Sequence, residues 1–378
     1  MIHVVIDTSI YRQDASREKA SFITFSNLCK SDVIKLHLPA VVKDEFITQI
    51  PEFTEPLSEA ISKIRSFSSK KSEDETKHKL KGVEKDINEI KTNYEKTMEA
   101  KFNNWILENK AELHSIKPHH GESVLKSYFM GHPPFKKVKN RDDFPDAFIW
   151  QNLLDLVQKY GQIHFVVADN RLCDACNNNS KIKVYKLLDQ LIESEQLKDA
   201  IIDTFAEKYF IDIIAFLSAN PNLITDSLQK NIAEELAYKE IHDERIPDDN
   251  NEGIITMVDE GEDFEYRFDQ TTYYGSGILV IPFSFTTECL VEYHIFKADY
   301  YSISEKRLES ISVSEYDNKH YFEAEEYMPL LVIGTISVKF PSVYGGIEKE
   351  DVSQLLKNAE IRIDKIDNIV VAEQLDHP

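Results

Sequence analysis

The stretch MIHVVIDTSIYRQD, residues 1–14, decides the fold. Val4, Val5 and Ile6 form a β-branched run of the kind buried on both faces of a parallel strand. Asp7 follows at once. A carboxylate at the rim of a core is costly unless something pairs with it. The stretch therefore reads as a strand, residues 2–7, that carries an acid to a sheet edge. A helix over 9–30 is expected next, with Thr8 or Ser9 as its N-cap.

The same arrangement recurs down the chain. IKLHLP (34–39) reads as a second strand, with Lys35 and His37 alternating against Ile34, Leu36 and Leu38. Pro39 ends it, and AVVKDEFITQI continues as a short helix. IHFVVAD (163–169) is a third apolar strand that ends in an aspartate. KIKVYKLLDQLIES adds a short strand and a helix. From Pro56 to about Leu113 the chain is charged and nearly free of Gly and Pro. Leu80, Val83, Ile87, Ile90 and Tyr94 recur at helical steps there and predict an insertion of two helices. GHPPFKKVKNRDD (131–143) reads as a basic, Pro-rich loop, and Pro145 suits the first turn of the helix in DAFIWQNLLDLVQKY. Strands alternating with helices predict an α/β domain with a doubly wound parallel sheet over residues 1–195, its helical insertion spanning about 56–130.

The texture then changes. Residues 196–245 read as a helical connector of two helices broken by ANPN, and IPDDNNEG (246–253) as a linker. Beyond 254, short alternating runs rich in Val, Ile, Tyr and Thr (SGILVIPFSF, CLVEYHIF, LLVIGTISVKF) predict an antiparallel sheet, with a turn in SVSEYDNKHYF. EKEDVSQLLKNAEI adds one helix. The expectation for 254–378 is a smaller, acidic α+β domain.

Bulk composition narrows the partners. The net charge is −22, but it is unevenly spread. Residues 1–190 hold 29 Lys and Arg against 27 Asp and Glu, and the remainder 15 against 39. The first part can carry basic patches, whereas the second repels polyanions and suits a homo-oligomeric or other protein contact. No run reaches the roughly 18 apolar residues of a membrane helix, and no signal peptide is expected. Four cysteines in 378 residues fit a reducing compartment, so a cytoplasmic protein is expected.

Four acids fall where an open parallel sheet builds its sites, at the carboxyl ends of strands or on the helices that follow: Asp7, Glu45, Asp146 and Asp169. Asp142, Asp143 and Asp174 lie nearby. Each acid alone has a plain structural role, as turn former, helix cap or first-turn charge. Together, clustered carboxylates repel unless a hard cation neutralises them, and all-oxygen ligands suit Mg²⁺ or Mn²⁺. Such a centre activates water and stabilises the charge of phosphoryl displacement.

In this order, VVIDTSI, LPAVVKDEF, FPDAFIW and HFVVADNRL resemble the successive motifs of PIN-domain nucleases, over about residues 1–190. The inserted helices and the extra C-terminal domain are similar to those of larger bacterial PIN-like proteins. The resemblance implies an α/β/α fold and a metal-dependent nuclease. It implies that Asp7, Glu45, Asp146 and Asp169 are the catalytic metal ligands, and that Ser9 orients the first carboxylate or a metal-bound water. Asp143 and Asp174 would be supporting acids. The last motif departs from the family pattern, with Leu172, Cys173 and Asp174 where Asp-Phe is usual.

Lys136, Lys137, Lys139 and Arg141 precede Asp146, and Arg171 follows Asp169. These cations suit a phosphate backbone that the acids would repel. Tyr128, Phe129 and Phe135 read as core in preference to base-stacking platforms. Cys173 and Cys176 form a lone C-x-x-C without the context of a metal or redox site, and His114, His119, His120 and His132 read as ordinary surface histidines. The expected activity is hydrolysis of single-stranded RNA, in a toxin, defence or RNA-processing role. The alternatives are a non-cleaving PIN domain that binds RNA or protein, and a structure-selective DNA nuclease.

Overall fold

The computed structural model describes residues 1–71, 74–135, 137–202, 204–315, 319–340, 355–356 and 358–372. The chain divides into two compact units, Met1–Ala200 and Ile201–Pro378. The first holds 30 Lys and Arg and 30 Asp and Glu, so the whole net charge of −22 resides in the second.

The first unit is built on five strands: β1 Ile2–Ile6, β2 Ile34–Pro39, β3 Glu112–His114, β4 Ile163–Val166 and β5 Ile182–Tyr185. They form one parallel sheet in the order β3-β2-β1-β4-β5, as the alternation of strands and helices predicts. Its helices are α1 Thr8–Gln13, α2 Ala20–Lys30, α3 Ala40–Gln49, α4 Glu55–Lys71, α5 Asp74–Glu108, α6 Pro118–Met130, α7 Phe144–Tyr160, α8 Asn170–Asn177 and α9 Leu188–Ile192. β1 is central, and Val4, Val5 and Ile6 are wholly buried. Chain order reverses beside β1, whose neighbours are β2 and β4. This is the switch point at which open α/β sheets place their sites.

Three local expectations are corrected. The single helix over 9–30 is two, α1 and α2. Between them Asp14 accepts from Ser16 Oγ (2.9 Å) and Lys19 N (2.9 Å), and Arg17 turns the chain at φ +59°. The N-cap is Asp7, not Thr8 or Ser9: Asp7 keeps extended dihedrals and accepts from Ser9 N. The region 56–130 is not wholly helical, because Glu112–His114 joins the sheet as β3 beside β2. Three residues are too few for strand periodicity to show.

The α4–α5 pair is the expected two-helix insertion, clasped by Arg65 to Glu84 and by Lys91 Nζ to Ser58 Oγ (2.7 Å). Its apolar stripe is only partly covered, since Val83, Ile90 and Tyr94 are exposed. The base of α5 anchors it, where Phe102 and Trp105 pack with Tyr11, Phe22 and Phe46.

The second unit contains α10 Glu195–Ile201 only at its edge, then α11 Thr204–Ala219, α12 Asn222–Gln229 and α13 Ile232–Leu236. Its antiparallel sheet comprises β6 Glu240–His242, β7 Glu252–Val258, β8 Glu262–Tyr266, β9 Thr272–Gly275, β10 Ile278–Phe296, β11 Ile311–Glu315, β12 Tyr321–Lys339 and β13 Glu360–Val371. SGILVIPFSF and CLVEYHIF run as one strand, β10, because the ladder with β12 is unbroken from Ile278 to Phe296. The helices of 204–236 put Ile213, Leu217, Ile224, Leu228, Ile232 and Leu236 into the core of this unit, so the segment read as a connector is packed structure. IPDDNNEG joins β6 to β7, with Ile246 buried, and is a loop within the unit. Most of the expected helix in EKEDVSQLLKNAEI, and residues 316–318 of the expected turn, lie outside the described residues.

Candidate active site

β1, β4 and the turn after each are tied together before any chemistry is considered. Asp7 N donates to Val166 O (2.9 Å). Ser9 Oγ donates to Asp7 Oδ2 (2.5 Å) and accepts from Ala168 N (3.1 Å). One hydroxyl thus fixes the Asp7 carboxylate and joins it to the strand end that precedes Asp169. Ser9 N gives Asp7 Oδ2 a second hydrogen bond, 3.0 Å. Asp7 is 6 % exposed. Burial pushes its carboxyl up, the Ser9 bonds oppose this, and the Glu45 charge adds to it.

Glu45 arrives on α3, the helix after β2. Thr8 Oγ1, itself buried, donates to Glu45 Oε2 at 2.6 Å, which couples the turn after β1 to α3. Asp169 is the N-cap of α8; its Oδ1 accepts from Arg171 N (2.7 Å) and Leu172 N (3.2 Å). Asp146 lies in the first turn of α7, after Pro145. Its carboxyl is pushed up to about 7, first by burial and then by the charges of Asp7, Asp169, Glu45 and Asp143. The charges of Asp7, Asp169, Glu45 and Asp143 thus all bear on Asp146.

The supporting residues divide. Asp143 is wholly buried, and both its oxygens are engaged: Arg171 Nη1 donates to Oδ1 (2.8 Å) and Asn140 Nδ2 to Oδ2 (2.6 Å). Its place is to anchor the loop and Arg171. Arg171 Nε also lies 3.9 Å from Asp169 Oδ2, so the side chain bridges two acids. Asp174 is exposed on α8. Lys137, Lys139 and Arg141 are exposed on the loop after α6, and Lys136 lies outside the described residues. Gly131 closes α6 at φ +66°, where a Cβ would stand 3.0 Å from Val138 N; only glycine lets the basic loop fold back there. Lys139 N then donates to Tyr128 O (2.9 Å). Phe135 and Tyr128 belong to a small core with Val124 and Ala147, whereas Phe129 is exposed.

Thr8 and Asn140 escaped the reading of the sequence. Thr8 looked like a helix cap, and its bond to Glu45 spans 37 residues, which no local pattern reports. Asn140 stands three residues before Asp143, a weak signal on its own.

Asp7, Glu45, Asp146 and Asp169 offer only oxygen donors, and the carboxyls of Asp7 and Asp146 are pushed up by burial and by neighbouring acids, as fits a hard divalent cation. Among the described residues, the triads of His, Cys, Asp or Glu whose ligand atoms lie within 4.8 Å of one another are elsewhere. No three of these four carboxylates come that close. No described helix is long and apolar enough to cross a membrane.

The first unit is of the open, doubly wound α/β/α class, with acids at the carboxyl ends of its central strands, where that class places its sites. The particular family follows from the sequence: residues 4–172 match the family model described as PIN domain, and the first unit is a PIN domain. PIN domains are generally nucleases that act on nucleic acids and typically use divalent metal ions. Neither a curated protein nor a solved structure matches the chain.

Proposed function

We propose that the first unit is a metal-dependent ribonuclease that hydrolyses phosphodiester bonds in single-stranded RNA. The observation that carries the reading is the convergence on Asp146, whose carboxyl is held near 7 by burial and four neighbouring acids. Such a group stays partly protonated at neutral pH until a cation arrives. Asp7, Glu45, Asp146 and Asp169 would hold Mg²⁺ or Mn²⁺, which supplies an activated water and neutralises charge developing on the phosphate. Ser9 locks Asp7 toward the cleft, and Thr8 does the same for Glu45. Arg171, held by Asp143, places a cation at the rim of the acids. Lys137, Lys139 and Arg141, with Lys136, track the backbone on either side.

RNA is favoured over DNA because the carboxylates are few, and single strands because an exposed Phe129 and a loop of exposed cations suit an unpaired chain. The second unit, at −22, is unsuited to nucleic acid and is read as a surface for self-association or another protein. The test is cleavage of labelled single-stranded RNA and single-stranded DNA of one sequence, with Mn²⁺ or Mg²⁺ and with EDTA. Metal-dependent cleavage of RNA that vanishes in Asp146→Asn supports the reading. Binding without cleavage in either metal would leave a binding module in its place.

A further inference from the structure

β1, β2 and β3 line up three histidines. In the parallel register Val5 faces His37, His37 faces Glu112, and Pro39 faces His114, so His3, His37, Glu112 and His114 share one face of the sheet. The rings form a chain: His3 Nδ1 lies 2.9 Å from His37 Nε2, and His37 Nδ1 lies 2.9 Å from His114 Nε2. Glu112 closes on the second junction, with Oε2 3.8 Å from His37 Nδ1 and Oε1 3.9 Å from His114 Nε2. Three ligand atoms on two neighbouring strands thus converge within 4.8 Å.

We propose that His37, Glu112 and His114 form a second metal site that takes a borderline divalent cation of the zinc type, separate from the carboxylate cluster. The donor set is two imidazole nitrogens and one carboxylate oxygen, which selects zinc-type cations where the all-oxygen acids select magnesium. Three protein ligands leave a fourth position for water.

The surroundings are those of a built site. The ring of His37 is wholly buried, while His114 is 16 % and Glu112 36 % exposed. Burial first, and the neighbouring His114 second, push His37 down to about 3, and burial lowers His114 as well. The positioning partners are in place. In the bound form His37 carries its proton on Nε2 and donates it to His3 Nδ1, which sets the ring with its Nδ1 lone pair toward the ion. Tyr160 Oη donates to Glu112 Oε2 (3.3 Å) and Lys159 Nζ to Oε1 (3.4 Å). Tyr160 also stacks on His3, with ring centroids 4.1 Å apart. The exposed Lys159 can swing to water when an ion arrives.

The other two triads are less suited. In His119–His120–Asp155, His120 Nδ1 accepts from Lys117 N at the start of α6, so a neutral His120 keeps its proton on Nε2, the atom that faces Asp155. Glu240, His242 and Glu252 are all well exposed, without a buried ligand.

The test does not depend on the nuclease reading. Full-length protein carrying Asp7→Asn and Asp146→Asn, stripped of metal, is titrated calorimetrically with zinc, and with cobalt(II) followed by its visible spectrum. One ion per chain is expected, with the intense cobalt band of a four-coordinate site. Adding His114→Ala or Glu112→Gln should weaken binding by about tenfold or more, with circular dichroism unchanged. If the double variant does not fold, the same cobalt titration is read on wild-type protein in excess Mg²⁺. Absence of the band, or affinity indifferent to His114→Ala and Glu112→Gln, would overturn the proposal.

Discussion

Two aspartates, one in each unit, show what separates a site from a merely acidic surface. Asp146 lies in a unit with no net charge, yet its carboxyl is pushed up to about 7. Asp243 lies in the unit that carries all 22 excess negative charges, yet its carboxyl is held down at about 2. Arg245 explains the second value: its Nε and Nη2 each lie 2.7 Å from an Asp243 oxygen, and Arg245 N and Val371 N also donate. Asp146 has burial and four acids for neighbours. Charge density summed over a unit is screened within about 10 Å, so the local partners decide. The unit that looks neutral is the one whose acids bear on one another, at Asp146.

The comparison is broken most sharply at Asp146 itself. Asp146→Asn should reduce RNA cleavage by a factor of about 10² or more, while gel-shift affinity for the same RNA persists. Full turnover in that variant would remove Asp146 from the metal site.

A smaller effect concerns the arginines. Arg171→Ala removes the Arg171 Nη1 donor to the wholly buried Asp143 and should destabilise the first unit by about 2 kcal/mol. Arg245→Ala leaves Asp243 its backbone donors, and about 1 kcal/mol is expected there. Urea melts of the two variants rank them. Equal losses would mean that solvent, not the partner count, sets both costs.

These two neighbourhoods also show what a sequence can disclose. β1, β2, β4 and the acids after them were legible because buried parallel strands are apolar runs, and an acid at the end of such a run stands out. The motif order brought Asp7, Glu45, Asp146 and Asp169 into view, and with it the family. The sequence was silent on Thr8 as donor to Glu45 and on β3, because one depends on a contact across 37 residues and the other is three residues long. His37 and His114 looked like an alternating strand residue and a surface residue. Only the pairing of β2 with β3 brings them together. The break between α1 and α2 was hidden because Asp14, Ser16 and Arg17 do not stop a helix by propensity alone.

The raised carboxyl of Asp146 also sets how cation binding varies with pH. The ion binds the ionised form, so below about 7 each bound ion must displace a proton. Affinity for Mn²⁺ should therefore fall by about tenfold per pH unit between roughly 6.5 and 5.5, and level off above 7.5. Calorimetric titration across that range checks it. A flat profile would mean that Asp146 is ionised throughout and stands apart from the other acids.

The last effect is again on stability, and its sign discriminates. Asp146 has a folded-state value near 7 and an unfolded value near 4. Between these the unfolded chain binds fewer protons than the folded one, so the contribution of Asp146 to stability falls as pH rises from about 4 to 7. Below pH 4 the group is protonated in both states and the penalty is absent. Above 7 the penalty is complete. Asp146→Asn removes it while nearly preserving shape. In EDTA the variant should thus match wild type near pH 4 and exceed it at pH 7.5 by about 1–2 kcal/mol, a figure reduced for screening because the carboxyl is only partly buried. Mn²⁺ should reverse the order at pH 7.5, because binding stabilises only the protein that keeps the site. The equivalent change in the second unit, Asp243→Asn, should do the opposite. Asp243 is held below its unfolded value, so its contribution is present above about pH 4 and lost as pH falls toward 2. Asp243→Asn should therefore destabilise at pH 7.5 whatever the metal. Two variants of opposite sign at one pH would show that the first unit stores repulsion at its acids and the second has discharged its own at Asp243. A loss of stability in Asp146→Asn under EDTA would make that carboxylate an ordinary helix-start charge.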